Sequence, residues 1–282
     1  MSTTQPPVVE REVEEYRPHR KWFRRPDIMG PVLVLLAVYG VLVGFVEQEN
    51  FFRTRMEAPG GLVRFDWMWF FHLIPLMLKG LLVTIKATLL GFAVAVVLGF
   101  FLALGRRSKV LVLRWPTIAV IEFVRSTPVL VQLFFWLSLE RAVPGVDLGP
   151  ITLLAVGLGI HYATYCSEAY RAGINSVDQG QWEAATALNL GPVTTWVRVV
   201  VPQAVPNVLP ALGNFLVAAF KDAPMGFVVG VHGLLFFADQ VSSETFRVTE
   251  PYLIAGVGFL LASLPAAWAV RKLEKRIAYE RI

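Results

Sequence analysis

Four polar side chains crowd little more than one helical turn of an otherwise apolar stretch. His161, Tyr162, Thr164 and Tyr165 lie within Pro150–Ser167, which carries no charge over 18 residues. An imidazole and two phenols there can hydrogen-bond a polar solute, or they can tie neighbouring helices together; both readings stand. Glu122 and Arg125 are three apart, the spacing of a pair on one helix face. Arg125 also precedes Pro128, where a bend would free backbone carbonyls to hold it. That pair reads first as a structural clasp at a helix end and second as a solute contact. Gln132 and Asn214 are side-chain amides inside other apolar runs, and polar residues in such runs mark sites when the surroundings are lipid. Lys221 and Asp222 close the run that holds Asn214, as a cap or as a gate.

Other chemistries find no support. Ser167 and Glu168 follow His161 closely, yet hydrolysis needs a nucleophile, a base and an orienting group in mutual reach, and nothing in the spacing indicates that. No glycine is followed by lysine, so the GxxxxGK phosphate loop is absent. His19, His72, His161 and His232 are scattered, without metal-ligand spacing to one another or to a cysteine. Cys166 is the only cysteine, so no intrachain disulfide forms. No catalytic residue, metal or cofactor is expected, and any energy must come from another chain.

The elements that position these residues are apolar helices. The 282 residues are 55% hydrophobic and 17% charged, with a mean hydropathy of +0.57; ordinary soluble domains carry about 25% charge. Ile28–Val46 and Ala87–Gly105 are each uncharged over 19 residues, close to the roughly 20 needed to cross a bilayer core. Thr127–Leu139, Pro206–Phe220 and Pro251–Val270 are uncharged too. The net charge of +5 does not point to nucleic acid, because the basic residues gather at the ends of these runs: Arg17–Arg25 before the first, Arg106–Arg114 after the second, Arg271–Arg276 after the last. Such clusters mark the cytoplasmic side.

The fold class expected is an all-α integral membrane protein of about six transmembrane helices. Residues 1–27 form a basic cytoplasmic tail, with no plausible cleavage site for a signal peptide following. Residues 28–46 form a first helix, in which Gly40 and Gly44 offer a packing face. Residues 47–76 form an outer, interfacial linker rich in aromatics, including Phe51, Phe52, Trp67, Trp69, Phe70 and Phe71. The core occupies 77–276, and 277–282 form a cytoplasmic tail. Within the core, the second span covers Leu81–Gly105. The third begins in Lys109–Arg125 and bends at Pro128 on its way to Leu139. Pro150–Ser167, Asn207–Phe220 and Tyr252–Val270 follow, with Met225–Phe237 re-entrant or interfacial. Six spans put both termini in the cytoplasm, and the segment 178–203 with them.

That segment reads as a compact pair of short helices. Gln181–Leu190 is rich in good helix formers, with Glu183 in its first turn, suited to the positive end of the helix dipole. Gly191 is placed to end it, Pro192 to start the next, and Pro202 to close the second.

Here the sequence resembles the Glu-Ala-Ala loop of ABC importer permeases, in which Glu-Ala-Ala is followed after three residues by glycine and, nine residues later, by an Ile-x-Leu-Pro-like end. Glu183, Ala184 and Ala185 and the ending Val199-Val200-Val201-Pro202 fall at that spacing, with Asn189 at the glycine position; Gly191, two places on, allows a shifted turn. Gly80-Leu-Leu-Val-Thr-Ile-Lys86, the run from Glu122 to Gln132, and Glu168-Ala-Tyr-Arg-Ala-Gly173 resemble the polar amino-acid (histidine and glutamine) branch. The similarity covers about Met77–Arg276.

The resemblance implies a type-1 permease core of five helices, here with one extra N-terminal helix, in the inner cell membrane. It implies a cytoplasmic ATP-binding subunit in two copies, a second permease subunit, identical or homologous, and an extracytoplasmic solute-binding protein; membrane lipid surrounds the assembly. The loop would dock in the ATPase subunit through Glu183, Ala184, Ala185, Asn189, Gly191 and Pro202. Arg125, Gln132, His161, Tyr162, Tyr165 and Asn214 would line the translocation path. Glu168 to Leu190, with Ser243-Glu-Thr-Phe-Arg247 and Glu250-Pro251, looks most like permeases for ectoine and hydroxyectoine, although Gly233 replaces the usual acidic residue. The solute expected is a small zwitterion, that or a polar amino acid. The competing readings are an ATP-independent secondary transporter or channel, and a scaffold without a solute path.

Overall fold

The computed structural model describes residues 65–279, with side chains as far as 274. The expected tail, first helix, Gly40–Gly44 face and most of the linker lie outside the described residues. The chain divides into Met1–Arg64 and Phe65–Ile282, and every described residue belongs to the second unit.

All regular structure among the described residues is helical. The order is α1 (Trp67–Arg107), α2 (Leu111–Arg125), α3 (Val129–Ala142), α4 (Pro150–Asn175), α5 (Gln179–Ala187) and α6 (Pro192–Thr195). A π turn (Trp196–Val200) then leads into α7 (Val201–Asp222), a 3₁₀ turn (Ala223–Val229), α8 (Leu234–Thr245) and α9 (Thr249–Tyr279). Trp67–Arg107, Pro192–Val229 and Thr249–Glu274 are long and apolar enough to cross a membrane, and α2 with α3 makes a fourth crossing if the bent pair is one span. α4 has 26 residues and is less apolar, because it carries the His161–Tyr165 patch.

The core is built around α4. α1 packs against it more extensively than any other pair of elements does, and α7 comes next. The α1 face that meets α4 is made of small residues, with Ala87, Gly91, Ala95, Gly99 and Ala103 all buried. A Cβ on Gly99 would lie 2.7 Å from the Ala163 carbonyl oxygen and 2.6 Å from Cβ of Cys166, so the two backbones approach closely. In lipid, such approach brings dispersion contacts that longer side chains would block.

α1 spans 41 residues, about 60 Å at 1.5 Å per residue. It therefore outruns a bilayer core, and residues 67–76, expected as interfacial linker, are already helix. Asp66 caps it by accepting the Trp69 N–H at 3.1 Å, which satisfies one of the open donors at a helix start. Trp67 and Phe71 are exposed on this first stretch, as suits aromatics at a membrane interface.

The third span departs from expectation. Its break falls at Ser126–Pro128 as the proline requires, but α2 and α3 turn through 112°, an elbow rather than a bent rod. α3 runs along α4, where Leu133 and Trp136 meet Gly157. α2 crosses the far end of α1, with Thr117 against Gly105. Its Val112 is 80% and its Trp115 64% exposed.

The segment after Asp222 is compact. The 3₁₀ turn ends at Gly230 in the left-handed region (φ 80°), and α8 begins where Thr84 receives it. The Thr84 hydroxyl donates to the Gly80 carbonyl at 3.0 Å and accepts the Leu234 N–H at 3.0 Å. A Cβ on Gly80 would lie 2.8 Å from the Gly233 oxygen. The Gly80…Thr84 spacing thus seats α8 on α1.

Candidate functional site

Two groups of residues form the site: a helical loop at one end of the molecule, and a line of polar side chains leading from that end into α4.

The loop begins at α5, capped by Asp178, whose carboxylate accepts the Gly180 N–H at 2.7 Å. Glu183 and Ala184 are exposed, whereas Ala185 is 3% exposed. Of the three motif residues, then, two face outward and one anchors. The helix ends at Asn189, which itself takes the left-handed conformation (φ 52°). The turn is therefore not shifted to Gly191, whose φ is −63°. Asparagine tolerates that region far better than branched residues do, so Asn189 fills the glycine position without displacing the motif.

Pro192 starts the next helix, but Pro202 does not close it: helix runs on through α7 to Asp222. The reason is the π turn just before it. The Val201 N–H bonds back five residues to the Trp196 carbonyl, and this wider turn moves the backbone that the proline ring would otherwise strike. The loop is thereby welded to a membrane helix. Trp182 and Trp196 meet at 5.5 Å, nearly perpendicular, over a cluster of Ile174, Val177, Val200 and Ala204. These residues join the end of α4, both arms of the loop and the start of α7. Leu188 and Val193 remain 73% and 76% exposed beside Glu183.

Above the loop sits Glu168, beyond the uncharged part of α4. Arg106 of α1 hydrogen-bonds its Oε1, Arg171 bonds Oε2 at 2.8 Å, and Arg125 lies 3.5 Å from Oε1. The expected Glu122–Arg125 pair is thus replaced. The α2–α3 elbow swings Arg125 toward α4, while Glu122 stays exposed. Burial works to raise the Glu168 carboxyl, but the hydrogen bond and charge of Arg171, with those of Arg106, outweigh it and hold it below the usual carboxylate range. Arg107 carries the network to the loop: it bonds Asn175 at 2.8 Å and lies 5.9 Å from the Trp196 ring centre.

The polar line continues inward. The Arg125 guanidinium lies over the Tyr165 ring at 5.4 Å; Tyr165 neighbours His161 at 5.3 Å and Phe215 of α7 at 5.7 Å. Nδ1 of His161 is 3.2 Å from Oε1 of Gln132. The Gln132 amide donates to the carbonyls of Val124 at 2.7 Å and Thr127 at 3.0 Å, both at the elbow. Gln132 therefore closes the hinge as well as orienting His161. Tyr162 donates to Asp222 at 2.6 Å.

Five of the six path candidates, Arg125, Gln132, His161, Tyr162 and Tyr165, are thus in one neighbourhood. Asn214 is exposed on α7 and makes no hydrogen bond to them. Asp222 joins instead; its position at a helix end suggested a cap or gate, and only the tertiary fold gives it Tyr162. Ser167 bonds the Thr164 carbonyl at 2.7 Å while His161 faces Gln132, so the two do not form a nucleophile and base.

Residues 95–279 match the family described as binding-protein-dependent transport system inner membrane component. A probable amino-acid ABC transporter permease of Sinorhizobium fredii, y4tG, is 41% identical over 71% of this chain and 86% of its own length. The glutamine transport system permease GlnP of Escherichia coli is 29% identical over 76% of this chain and 99% of its own. Among solved structures, one titled as an amino acid ABC transporter with histidines superposes with a TM-score of 0.70 at 32% identity, covering 76% of this chain and all of that one. The inward-facing MetNI methionine transporter gives 0.59 at 20% identity, a likeness of fold.

Proposed function

We propose, from the premise that this chain belongs to the binding-protein-dependent transport system inner membrane components, that it passes a small zwitterionic solute, a polar amino acid or an ectoine-like compound. The chain is a permease subunit of an ATP-driven importer, a multi-pass membrane protein without enzymatic activity of its own. ATP hydrolysis resides in a separate ATP-binding subunit, and a solute-binding protein completes the system. The finer assembly we propose has two ATP-binding subunits and a second permease subunit, with both termini of this chain in the cytoplasm. The permease domain occupies about residues 77–276, and the segment 178–203 is its coupling element.

The observation that carries the reading is the weld of the loop to two membrane helices. Glu183, Ala184, Leu188 and Val193 present one charge and an apolar surface to a partner. Ala185, Asn189, Gly191 and Pro202 shape the loop, and Trp182 with Trp196 transmits its displacement to α4 and α7. A movement of the ATP-binding subunit then reaches the line Arg125–Tyr165–His161, together with Tyr162, Asp222 and Gln132. In that line a guanidinium suits a carboxylate, and ring faces suit a delocalised cation. Asn214 remains a candidate for the path from its exposed position on α7. An ATP-independent transporter or channel would have no use for such a loop.

The test is uptake of labelled ectoine and of labelled glutamine by proteoliposomes holding the whole complex. ATP-dependent uptake, with competition by ectoine, hydroxyectoine, glutamine, histidine or arginine, supports the reading. Competition by a sugar or peptide alone overturns the solute class, and uptake without ATP overturns the coupling.

A further inference from the structure

A second site lies in the α2–α3 elbow. The bend encloses a cleft of about 490 Å³ between α1, α2, α3 and α4, lined by apolar side chains such as Leu98, Phe123, Val131 and Ile160; Gln132 and Thr164 line it too, but their polar groups are turned to partners within the protein. Its size is within the roughly 300–1,000 Å³ typical of small-ligand sites, yet a zwitterion would find little to bind there. The polar line of the permease turns instead toward α7, through Tyr165–Phe215 and Tyr162–Asp222.

The charge at the mouth of the cleft fixes its occupant. Leu98, Leu102 and Arg106 follow one another at intervals of four along α1, and Ile160, Thr164 and Glu168 do so along α4. Residues four apart share a helix face, so each wall ends one turn on in the Glu168 cluster. There one carboxylate faces three guanidiniums, of Arg106, Arg125 and Arg171. Two positive charges are left over, on side chains that are 25%, 36% and 41% exposed.

We infer that the elbow binds an anionic phospholipid of the adjoining leaflet, its phosphate on the Glu168 arginines and an acyl chain in the cleft. An apolar cleft ended by surplus guanidinium has both halves of that ligand's chemistry. α2, with exposed Val112 and Trp115, lies where a lipid headgroup would pass. A second copy of this chain fits less well: a two-fold contact brings the same patch from both sides and sets its cationic cluster against itself. Arg125 belongs to both readings, so the test turns on Arg106 and Val131, which the proposed solute path does not use, and lipid binding is read separately from uptake.

The test reads lipid directly. The whole transporter is reconstituted in nanodiscs of equal phosphatidylcholine and phosphatidylglycerol, extracted into detergent, and its retained lipid counted by native mass spectrometry. The wild type is expected to retain phosphatidylglycerol over phosphatidylcholine by at least about fivefold, and Arg106→Gln to lose about fivefold of that preference, the effect of roughly one basic residue. Arg106→Lys keeps most of it, and Arg198→Gln, in the loop, keeps all of it. Val131→Trp, which fills the cleft while leaving the arginines, releases the lipid; an unchanged melting temperature shows that it folds. Equal retention of both lipids, or lipid still held by Val131→Trp, overturns the inference. So does a disulfide between two copies carrying Val131→Cys with Cys166→Ser, because it would place protein in the cleft.

Discussion

The indoles of Trp182 and Trp196 meet edge to face at 5.5 Å, one on each arm of the loop, and the second also lies under the Arg107 guanidinium of α1. This contact ties α5 to the start of α7 and to the end of α1 at once. Loop movement therefore has a rigid route into the membrane helices, and its predicted weak points can be named.

Trp196→Ala removes the edge contact, worth about 0.5–1.5 kcal/mol beyond simple burial, and the support for Arg107. Membrane insertion is expected to persist while solute-stimulated ATP hydrolysis of the reconstituted complex falls severalfold. Trp196→Phe should recover much of it. Full coupling in the alanine variant would remove this contact from the transmission.

Glu183→Arg with Ala184→Trp changes the two outward motif residues and should abolish uptake without loss of folded protein. Ala185→Trp is different: its site is 3% exposed, so it should lower the melting temperature as well. Separating uptake from thermal stability across the two variants checks which motif residues dock and which anchor.

Asn189 holds φ at 52°, so Asn189→Gly should preserve transport. Asn189→Val places a branched side chain in the left-handed region, at a cost of about 1–3 kcal/mol, and should impair both uptake and ATP hydrolysis. Equal activity of the valine and glycine variants would show that the turn can move to Gly191 after all.

The Glu168 carboxyl is held below the usual carboxylate range by Arg171 and Arg106, against the effect of burial. A group with a depressed folded value stabilises above its unfolded value, near 4.3 for glutamate, and loses that contribution as pH falls through the folded one. Melting curves of wild type and Glu168→Gln should therefore differ by a constant amount above about pH 5, the wild type melting higher. The gap should close on further acidification. A gap that widens toward acid would contradict the arrangement.

Topology is checked with single cysteines in a Cys166→Ser background. Cysteines at Glu49 or Asp147 should react with an impermeant maleimide in intact cells. Those at Arg20, Gln179 or Lys275 should react only once the membrane is opened. Labelling of position 20 from outside would overturn the cytoplasmic N-terminus.

Much of this protein is legible in sequence because lipid imposes a one-dimensional constraint: a crossing helix must be apolar for its whole length. The uncharged runs at Ala87–Gly105 and Pro251–Val270, the break at Pro128 and the helix starts at Pro150 and Pro192 therefore reappear as elements and their ends. The first loop helix was legible as Gln181–Leu190 because helix propensity is local; the structure starts it at Gln179 behind an Asp178 cap and stops it at Asn189 rather than Gly191. The small-residue face of α1 was also present, as Gly91, Ala95, Gly99 and Ala103 at intervals of four, but its partner on α4 was not.

What the sequence by itself determined was the class of molecule, the helices and the Glu183-Ala184-Ala185 motif, since each depends on neighbours within a few turns. What only the tertiary structure decided was who meets whom across helices. Residue 125 is near residue 122 along the chain, yet it pairs with Glu168, because the 112° elbow sets how α2 as a whole meets α4. Tyr162 and Asp222 are 60 residues apart and meet at 2.6 Å. Local spacing fixes which side of its own helix a residue faces; the angle at which that helix packs on the next fixes its partner.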